Sequence, residues 1–324
     1  MSDTNTLHIP SVFYGLQQYP DALATLRALV ASAPNATDPN GPWFIADNLI
    51  TFGHTRGFLS DPRFAAAVMS EQPSKDELSI VWRTRTLCWA AESCCDVPGD
   101  IVECGSYRGY SMAVVLRYLS GMPGRHLYLY DLFDPQGGVG DGKRLPAHSP
   151  DVFERVRARF QRYSNVTVTQ GKVPQVLDEV APAHIAFLHI DMNNAEAERG
   201  ALETLFERVT EGGMIVFDDY GWTGYRDQKE SADQFRRQYS LHILELPTGQ
   251  GLVLKRRQRS RGLLQQLLRP PYIGGLEPLG EPAIQRTDQL ACRLIVAMQP
   301  CQAHGRPQLP GHRSLPARQG ERAR

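Results

Sequence analysis

Residues 101–111, Ile101-Val102-Glu103-Cys104-Gly105-Ser106-Tyr107-Arg108-Gly109-Tyr110-Ser111, decide the fold class. A short apolar run follows the turn-forming Val97-Pro98-Gly99-Asp100, a loop with two glycines follows the run, and a helical pattern over 111–119 follows the loop. That is one strand, loop and helix unit, and it repeats downstream. Strands are expected at 126–131, 166–170, 185–190 and 214–217, with helices at 151–163, 174–180 and 195–209 between them. Strands separated by helix-length segments pair in parallel, with helices on both faces. After a helix at 227–239 the alternation stops. Residues 242–246 and 251–254 flank Pro247-Thr248-Gly249-Gln250 and read as an antiparallel hairpin.

Upstream, Gln72-Pro73-Ser74-Lys75-Asp76-Glu77 leads into a helix expected to reach about Cys95, with Leu78, Val81, Trp82, Arg85 and Trp89 near one face. Residues 1–71 read as a helical or irregular N-terminal cap, with 21–30 its best helix and Gly41-Pro42-Trp43-Phe44 a turn. The expected organisation is a cap over 1–71, a doubly wound Rossmann-like α/β domain over 72–255 and a tail over 256–324. A parallel sheet closed by an antiparallel edge hairpin is the outline of a class I methyltransferase sheet. A nicotinamide-binding domain would continue with a parallel strand and carry G-x-G-x-x-G, whereas the loop here is E-x-G-x-x-x-G.

Composition narrows the classes further. Lys+Arg and Asp+Glu both number 35, which argues against a dedicated nucleic-acid binder. The balance conceals a split: residues 256–324 hold 12 Arg, no Lys and 4 acidic residues, net +8, and the preceding 255 residues are net −8. A Pro-, Gln- and Arg-rich tail of this kind is expected to be largely disordered, apart from a weakly amphipathic stretch at 261–268 and a short helix at 287–298. No window approaches the roughly 18–20 apolar residues of a membrane span, and the first twenty residues lack the basic start and apolar run of a secretory signal, so a cytoplasmic protein is expected. Cys88, Cys94, Cys95, Cys104, Cys292 and Cys301 contain no C-x-x-C pair, which suits reduced, buried thiols better than disulfides or zinc.

The chemistry gathers at the ends of the strands. Glycines at 105 and 109 let the backbone turn sharply and lie close to a ligand, and the helix after them offers free N–H groups to an anionic group. Asp131 ends the next strand, where a carboxylate accepts the hydroxyls of a ribose; Asp134 is the alternative. Asp191 follows the strand at 185–190, and Asp218-Asp219-Tyr220 follows the one at 214–217. Doubly wound sheets bind ligands at the carboxyl ends of their strands, so these three acids should converge. Three carboxylates within a few ångströms repel unless a cation lies between them, and a hard divalent ion, most simply Mg²⁺, resolves that conflict.

Glu103 to Ser111, Tyr128 to Asp134, His189-Ile190-Asp191 and Gly212 to Tyr220 together resemble the macrocin O-methyltransferase family over about residues 78–255, with a further likeness at 48–64. Members of that family depend on S-adenosyl-L-methionine and Mg²⁺ and methylate sugar hydroxyls of macrolides and related natural products. The resemblance implies that Glu103, Gly105 and Gly109 form the cofactor loop, with Ser106 and Ser111 as its polar members. It further implies that Asp131 holds the ribose and that Asp191, Asp218 and Asp219 hold the metal; Asp191, beside the acceptor hydroxyl, is then the candidate to accept its proton. The partner is then a small-molecule hydroxyl acceptor, glycosylated or not; neither nucleic acid nor membrane is implied, and homo-oligomerisation stays open.

His189 is a second candidate base or a packed strand residue, and His148 sits in a Gly-rich loop suited to a lid. Arg56, in Thr51 to Arg56, is available to a ligand carboxylate, and Tyr225, Arg226, Gln228 and Lys229 to an acceptor. One departure stands out: the family reads Asp-x-Asp-x-Tyr after the fourth strand, and this chain reads Asp191-Met192-Asn193-Asn194-Ala195. Catechol-type relatives carry a lysine base three residues after that first Asp, where this chain has Asn194. A phenolic acceptor and an inactive cofactor-binding module stay open as alternatives.

Overall fold

The computed structural model describes residues 6–32, 41–133 and 151–256, all within one compact unit that spans Met1–Arg259. Asp134, the Gly-rich loop with His148, Cys292, Cys301 and all of the tail but Arg256 lie outside the described residues.

After a 3-10 turn at Leu16–Gln18 come α1 (Pro20–Ser32) and a hairpin of β1 (Trp43–Ala46) and β2 (Leu49–Phe52). The N-terminal segment is therefore not purely helical or irregular, and the expected turn at 41–44 is partly strand. The real turn is Asp47-Asn48, where φ of 52° and 57° gives the two-residue left-handed connection that matches strand twist. Across it the Trp43 and Phe52 rings meet at 4.7 Å.

Next come α2 (Pro62–Ser70), α3 (Lys75–Ser79) and α4 (Val81–Ser93). Asp61 caps α2 by accepting from the Arg63 and Phe64 N–H groups, and Ser74 with Glu77 forms a capping box on α3. The one helix expected here is two. Ser79 turns its hydroxyl back onto the Asp76 carbonyl and the chain restarts at Val81, which resets the helical phase. The buried face of α4 is accordingly Val81, Arg83, Thr84, Leu87, Cys88, Ala90 and Ala91, and Trp89 is 45% exposed.

The sheet is built by β3 (Asp100–Cys104), α5 (Tyr110–Tyr118), β4 (Leu127–Asp131), α6 (Val152–Phe160), β5 (Val166–Gln170), β6 (Ile185–Ile190), α7 (Ala195–Leu205), β7 (Val209–Phe217), α8 (Arg226–Tyr239), β8 (Leu244–Glu245) and β9 (Gly251–Leu254). Its order is β5-β4-β3-β6-β7-β9-β8, parallel through β7 and antiparallel at the last two strands. This is the doubly wound parallel sheet with a terminal antiparallel hairpin, as expected. Between β5 and β6 the chain forms a short 3-10 turn, Gln175–Asp178, where a helix was expected.

Alternation along the strands divides the core in two. Ile101, Leu127, Leu129, Phe187 and Val216 pack with α2, α4 and α5, and also with Leu7 and Phe44 from the N-terminal segment. Val102, Cys104, Tyr130, Leu188, Ile190, Ile215 and Phe217 pack with α7 and α8. β6 is buried along its whole length, which explains its continuous apolar run. Cys88, Cys94 and Cys104 are free, buried thiols, whereas Cys95 is free and exposed. No described helix is long and apolar enough to cross a membrane.

Candidate active site

Strand register brings the expected residues to one edge. Cys104 pairs with Ile190, and Ile190 with Phe217, so Gly105, Asp191 and Asp218 each stand one residue past the carboxyl ends of adjacent strands. The Asp191 N–H donates to the Cys104 carbonyl at 2.8 Å, and the Asp218 N–H to the Ile190 carbonyl at 3.0 Å. Gly105 has φ of +93°, and a Cβ there would lie 1.8 Å from the Asp191 carbonyl oxygen. No other residue fits that crossing.

From Gly105 the loop runs through Ser106 to Gly109, which caps α5 in the left-handed region, and Ser111 lies in the first turn of that helix. Asp131, at the end of β4, accepts from the Tyr107 N–H at 2.7 Å and the Phe133 N–H at 2.8 Å. The carboxylate thus fixes the glycine loop to its neighbouring strand, and each oxygen keeps a second lone pair. Glu103 is buried on the face below. Burial pushes its carboxyl upward, opposed by the imidazole of His189 and the Ser106 hydroxyl.

His189 is itself buried and bridges two acids, with Nδ1 2.9 Å from Glu103 Oε1 and Nε2 3.6 Å from Asp218 Oδ1. Burial would lower its pKa, but those two acids outweigh burial and raise it to about 10. It is a buried strand residue that ties two strand ends together.

The acids at the edge are in different electrostatic states. Asp218 would be raised by burial, but the Arg83 guanidinium, with His189 and Gln250, holds it well below the usual carboxylate range. Arg83 Nη1 lies 2.6 Å from Asp218 Oδ2 and 3.8 Å from Asp219 Oδ1, and the Gln250 amide donates to Asp218 Oδ1 at 2.9 Å. Asp219, with less help, is pushed up to about 7 by burial and by Asp218. Burial and then Asp218 and Asp219 raise Asp191 well above its ordinary value. Among the described residues no group of three or more His, Cys, Asp or Glu is arranged to hold a metal ion. Asp218 is turned instead toward Arg83 and Gln250.

Several members of this site were not legible beforehand. Asp47, in the β1–β2 turn, receives Arg83 through both carboxylate oxygens at 2.7 and 2.5 Å. Gln250 lies in the hairpin turn, held by the Thr248 hydroxyl at 3.1 Å. Glu198 on α7 accepts from the Gln228 amide at 2.6 Å and lies 3.4 Å from the Met192 N–H; burial and Asp219 raise it to about 8. A signal existed for Arg83: it stands four and seven residues before Leu87 and Ala90 on an otherwise apolar stripe, where a cation must find an anion.

Asn194 caps α7 by accepting from the Ala197 N–H at 2.9 Å. Asn193 has φ of 53°, and its buried Oδ1 has no hydrogen-bond partner among the described residues. Tyr225 is half-buried near Asp219 and Asp191; burial, followed by these two acids, raises it to about 12. Lys229 pairs with Glu245, and Arg56 donates to the Trp43 carbonyl.

The family model described as Macrocin-O-methyltransferase matches residues 85–244. The 8-demethyl-8-(2,3-dimethoxy-alpha-L-rhamnosyl)-tetracenomycin-C 4'-O-methyltransferase of Streptomyces olivaceus is 31% identical over 162 residues, 45% of this chain and 60% of that protein. The demethyldecarbamoylnovobiocin O-methyltransferase of Streptomyces niveus is 25% identical over 162 residues, 45% of this chain and 61% of that protein. The solved structure of the O-methyltransferase NovP is 21% identical, covers 55% of this chain and 81% of its own, and superposes with a TM-score of 0.48. The matched segment spans about 60% of the length of the two curated relatives.

Proposed function

We propose that this chain, whose residues 85–244 belong to the macrocin O-methyltransferase family, transfers the methyl group of S-adenosyl-L-methionine to a hydroxyl of a sugar or glycosylated small molecule. The observation that carries the reading is the single carboxyl edge where the Gly105–Gly109 loop, Asp131, Asp191, Asp218 and Asp219 meet. The names of the two curated relatives, one a rhamnosyl-tetracenomycin methyltransferase, support the acceptor class.

S-adenosyl-L-methionine brings a methyl group that is already activated. The chain must bind it, aim it and remove one proton. Glu103, Gly105, Ser106, Gly109 and Ser111 form the proposed cofactor loop, and Asp131, with its spare lone pairs, takes the ribose. Alignment of an acceptor oxygen in line with the methyl at about 3 Å supplies much of the rate. Asp191 is the proposed base, half-buried beside the loop, and its raised affinity for a proton suits that role.

The resemblance calls for a hard divalent ion at Asp191, Asp218 and Asp219, and burial with the charge of Asp218 raises the proton affinity of the other two, but both Asp218 oxygens are bound by Arg83 and Gln250 and the described residues form no metal-holding group of three. Mg²⁺ held by these carboxylates would neutralise them and lower the pKa of an acceptor hydroxyl. A cytoplasmic placement belongs to the same reading and is supported by the four free thiols among the described residues.

Asn193 favours a second reading, a module that binds the cofactor without turnover, because an amide replaces the family's second acid. Calorimetry with S-adenosyl-L-methionine, with turnover on glycosylated and phenolic acceptors in Mg²⁺ and in EDTA, separates the two. Micromolar binding with EDTA-sensitive transfer is expected, and Asp191→Ala should lose at least about a thousandfold in transfer while cofactor binding persists. Binding without transfer to any acceptor establishes the second reading. Near-normal turnover by Asp191→Ala removes Asp191 from the mechanism.

A further inference from the structure

We infer that Glu198, held by Gln228, is a positioning residue for Asp191: it clamps the turn of residues 191–193 and so fixes the direction in which the Asp191 carboxyl meets an acceptor hydroxyl. The inference rests on the reading of Asp191 as the base. Its basis is geometric. Glu198 stands in the first turn of α7 and Gln228 in the first turn of α8, and both are buried. The Gln228 amide donates to Glu198 Oε1 at 2.6 Å. That oxygen lies 3.4 Å from the Met192 N–H group, and the carboxyl also faces the Asn193 N–H. The flanks of the turn are held by other means. The Asp191 N–H donates to the Cys104 carbonyl, the Asp191–Met192 peptide presses on Gly105, and Asn194 caps α7. Glu198 is the side chain that reaches the two N–H groups in between.

Without that acceptor the two N–H groups must turn toward water, and the Asp191 side chain turns with them. Asn193 sits at φ of 53°, a left-handed conformation that asparagine tolerates better than most residues and that persists only while its surroundings fix it. A displacement of about 1 Å at a reacting group costs on the order of a hundredfold in rate. The clamp should therefore act on transfer and leave cofactor binding to the Gly105–Gly109 loop and Asp131. Burial and then Asp219 raise Glu198 to about 8, so near neutral pH its uncharged form does the accepting. Glu198→Gln copies that form and keeps an oxygen for the turn. Its new N–H groups can meet Gln228 Oε1, a buried atom with no partner among the described residues, once that amide turns over. Glu198→Leu keeps the bulk and loses the acceptor.

The test uses the full chain, with amide hydrogen exchange resolved by residue in NMR, calorimetry with S-adenosyl-L-methionine, and turnover on the same glycosylated and phenolic acceptors. In Glu198→Leu the Met192 and Asn193 amides are expected to exchange at least about tenfold faster, while the Asp191 amide stays within about threefold of the parent. Its kcat should fall at least about tenfold with the Kd for S-adenosyl-L-methionine within about threefold. Glu198→Gln should hold kcat and all three exchange rates within about threefold of the parent. Gln228→Leu should act in the same direction as Glu198→Leu but less strongly, and adding it to Glu198→Leu should change nothing further, since the two form one clamp. Should Glu198→Leu fold poorly by circular dichroism, Glu198→Asp, which withdraws the carboxyl by one methylene, carries the same expectations. The role of Glu198 is overturned if Glu198→Leu keeps the parent's kcat, if its cofactor affinity falls as far as its kcat, or if Glu198→Gln loses as much as Glu198→Leu. A parent that transfers methyl and a Glu198→Leu variant with unmoved Met192 and Asn193 exchange leave Asp191 as the base and remove Glu198 from its support. A parent that transfers to no acceptor overturns the reading of Asp191 itself, whatever the exchange rates.

Discussion

Two buried carboxylate–arginine networks lie at opposite ends of the strands, and they are inverted in composition. At the amino end, Glu71 is surrounded by Arg117 at 3.0 Å, Arg162 at 2.8 Å and Arg159 at 3.8 Å. There one acid serves three bases. At the carboxyl end, Asp47, Asp218 and Asp219 share Arg83, with Asp191 beside them. The excess charge has an outlet in the first network and none in the second. The three arginine side chains are 33%, 47% and 24% exposed around a 5% exposed Glu71, so their long stems carry the surplus to water. An aspartate has no such reach. Its charge stays where the strand ends, and the result is proton affinity rather than structural slack. The arginine-rich network ties α2, α5 and α6 together, whereas the acid-rich one holds an unrelieved electrostatic conflict of the kind the proposed reaction would use.

Substitutions that leave charges buried should separate the two ends. Asp218→Asn strips Arg83 and His189 of their shared anion and is expected to cost about 3 kcal/mol in denaturant unfolding. A loss below about 1 kcal/mol would mean that the acid-rich end is as relaxed as the other.

Glu198 belongs to the acid-rich end and adds a pH test. Its folded pKa of about 8 lies above the ordinary 4.5, so the folded state holds a proton that the unfolded state releases. The associated stability is intact below about pH 4.5, declines as pH rises, and is gone above about 8. The unfolding free energy should therefore fall over that window by up to about 5 kcal/mol, and Glu198→Gln should flatten the profile. An unchanged slope in Glu198→Gln would assign the decline to other acids.

At the opposite end, Glu71→Gln should cost only about 1–2 kcal/mol, because the arginines it frees already reach solvent. Its affinity for S-adenosyl-L-methionine should be unaltered by calorimetry. Arg162→Gln, the most exposed of the three, should shift stability by less than about 1 kcal/mol in the same unfolding assay. A larger effect there than for Glu71→Gln would contradict the view that water absorbs the surplus.

The two ends also differ in how visible they were in the primary structure. The strand-end acids and the glycine loop were legible because position in a strand–helix alternation fixes the edge to which a residue belongs. Asp47 and Gln250 were not, since a polar residue in a tight turn ordinarily faces water. Only the tertiary placement of two separate hairpins, the N-terminal one and the one that closes the sheet, buries these two. Arg83 was hidden by helical phase: a continuous helix through Ile80 puts Arg85 and Trp89 inward, and the break at Ile80 puts Arg83 and Leu87 there instead. The N-terminal hairpin was hidden because its turn, Asp47-Asn48, lacks the glycine that marks most left-handed connections.

The sequence by itself determined the order of the strands from β3 onward, the closing hairpin and the edge on which Asp131, Asp191, Asp218 and Asp219 stand, because periodicity and turn residues are local properties. Only the tertiary structure decided the charge state of that edge. Which carboxylate meets Arg83, which meets His189 and which is left to bind a proton depend on contacts between residues far apart in the chain, such as Arg83 and Asp218, 135 positions apart. Hydrogen bonds and close ion pairs in a weakly screened, buried site change strongly over a few ångströms of separation, so ångström-scale placement sets the charge state and residue order does not.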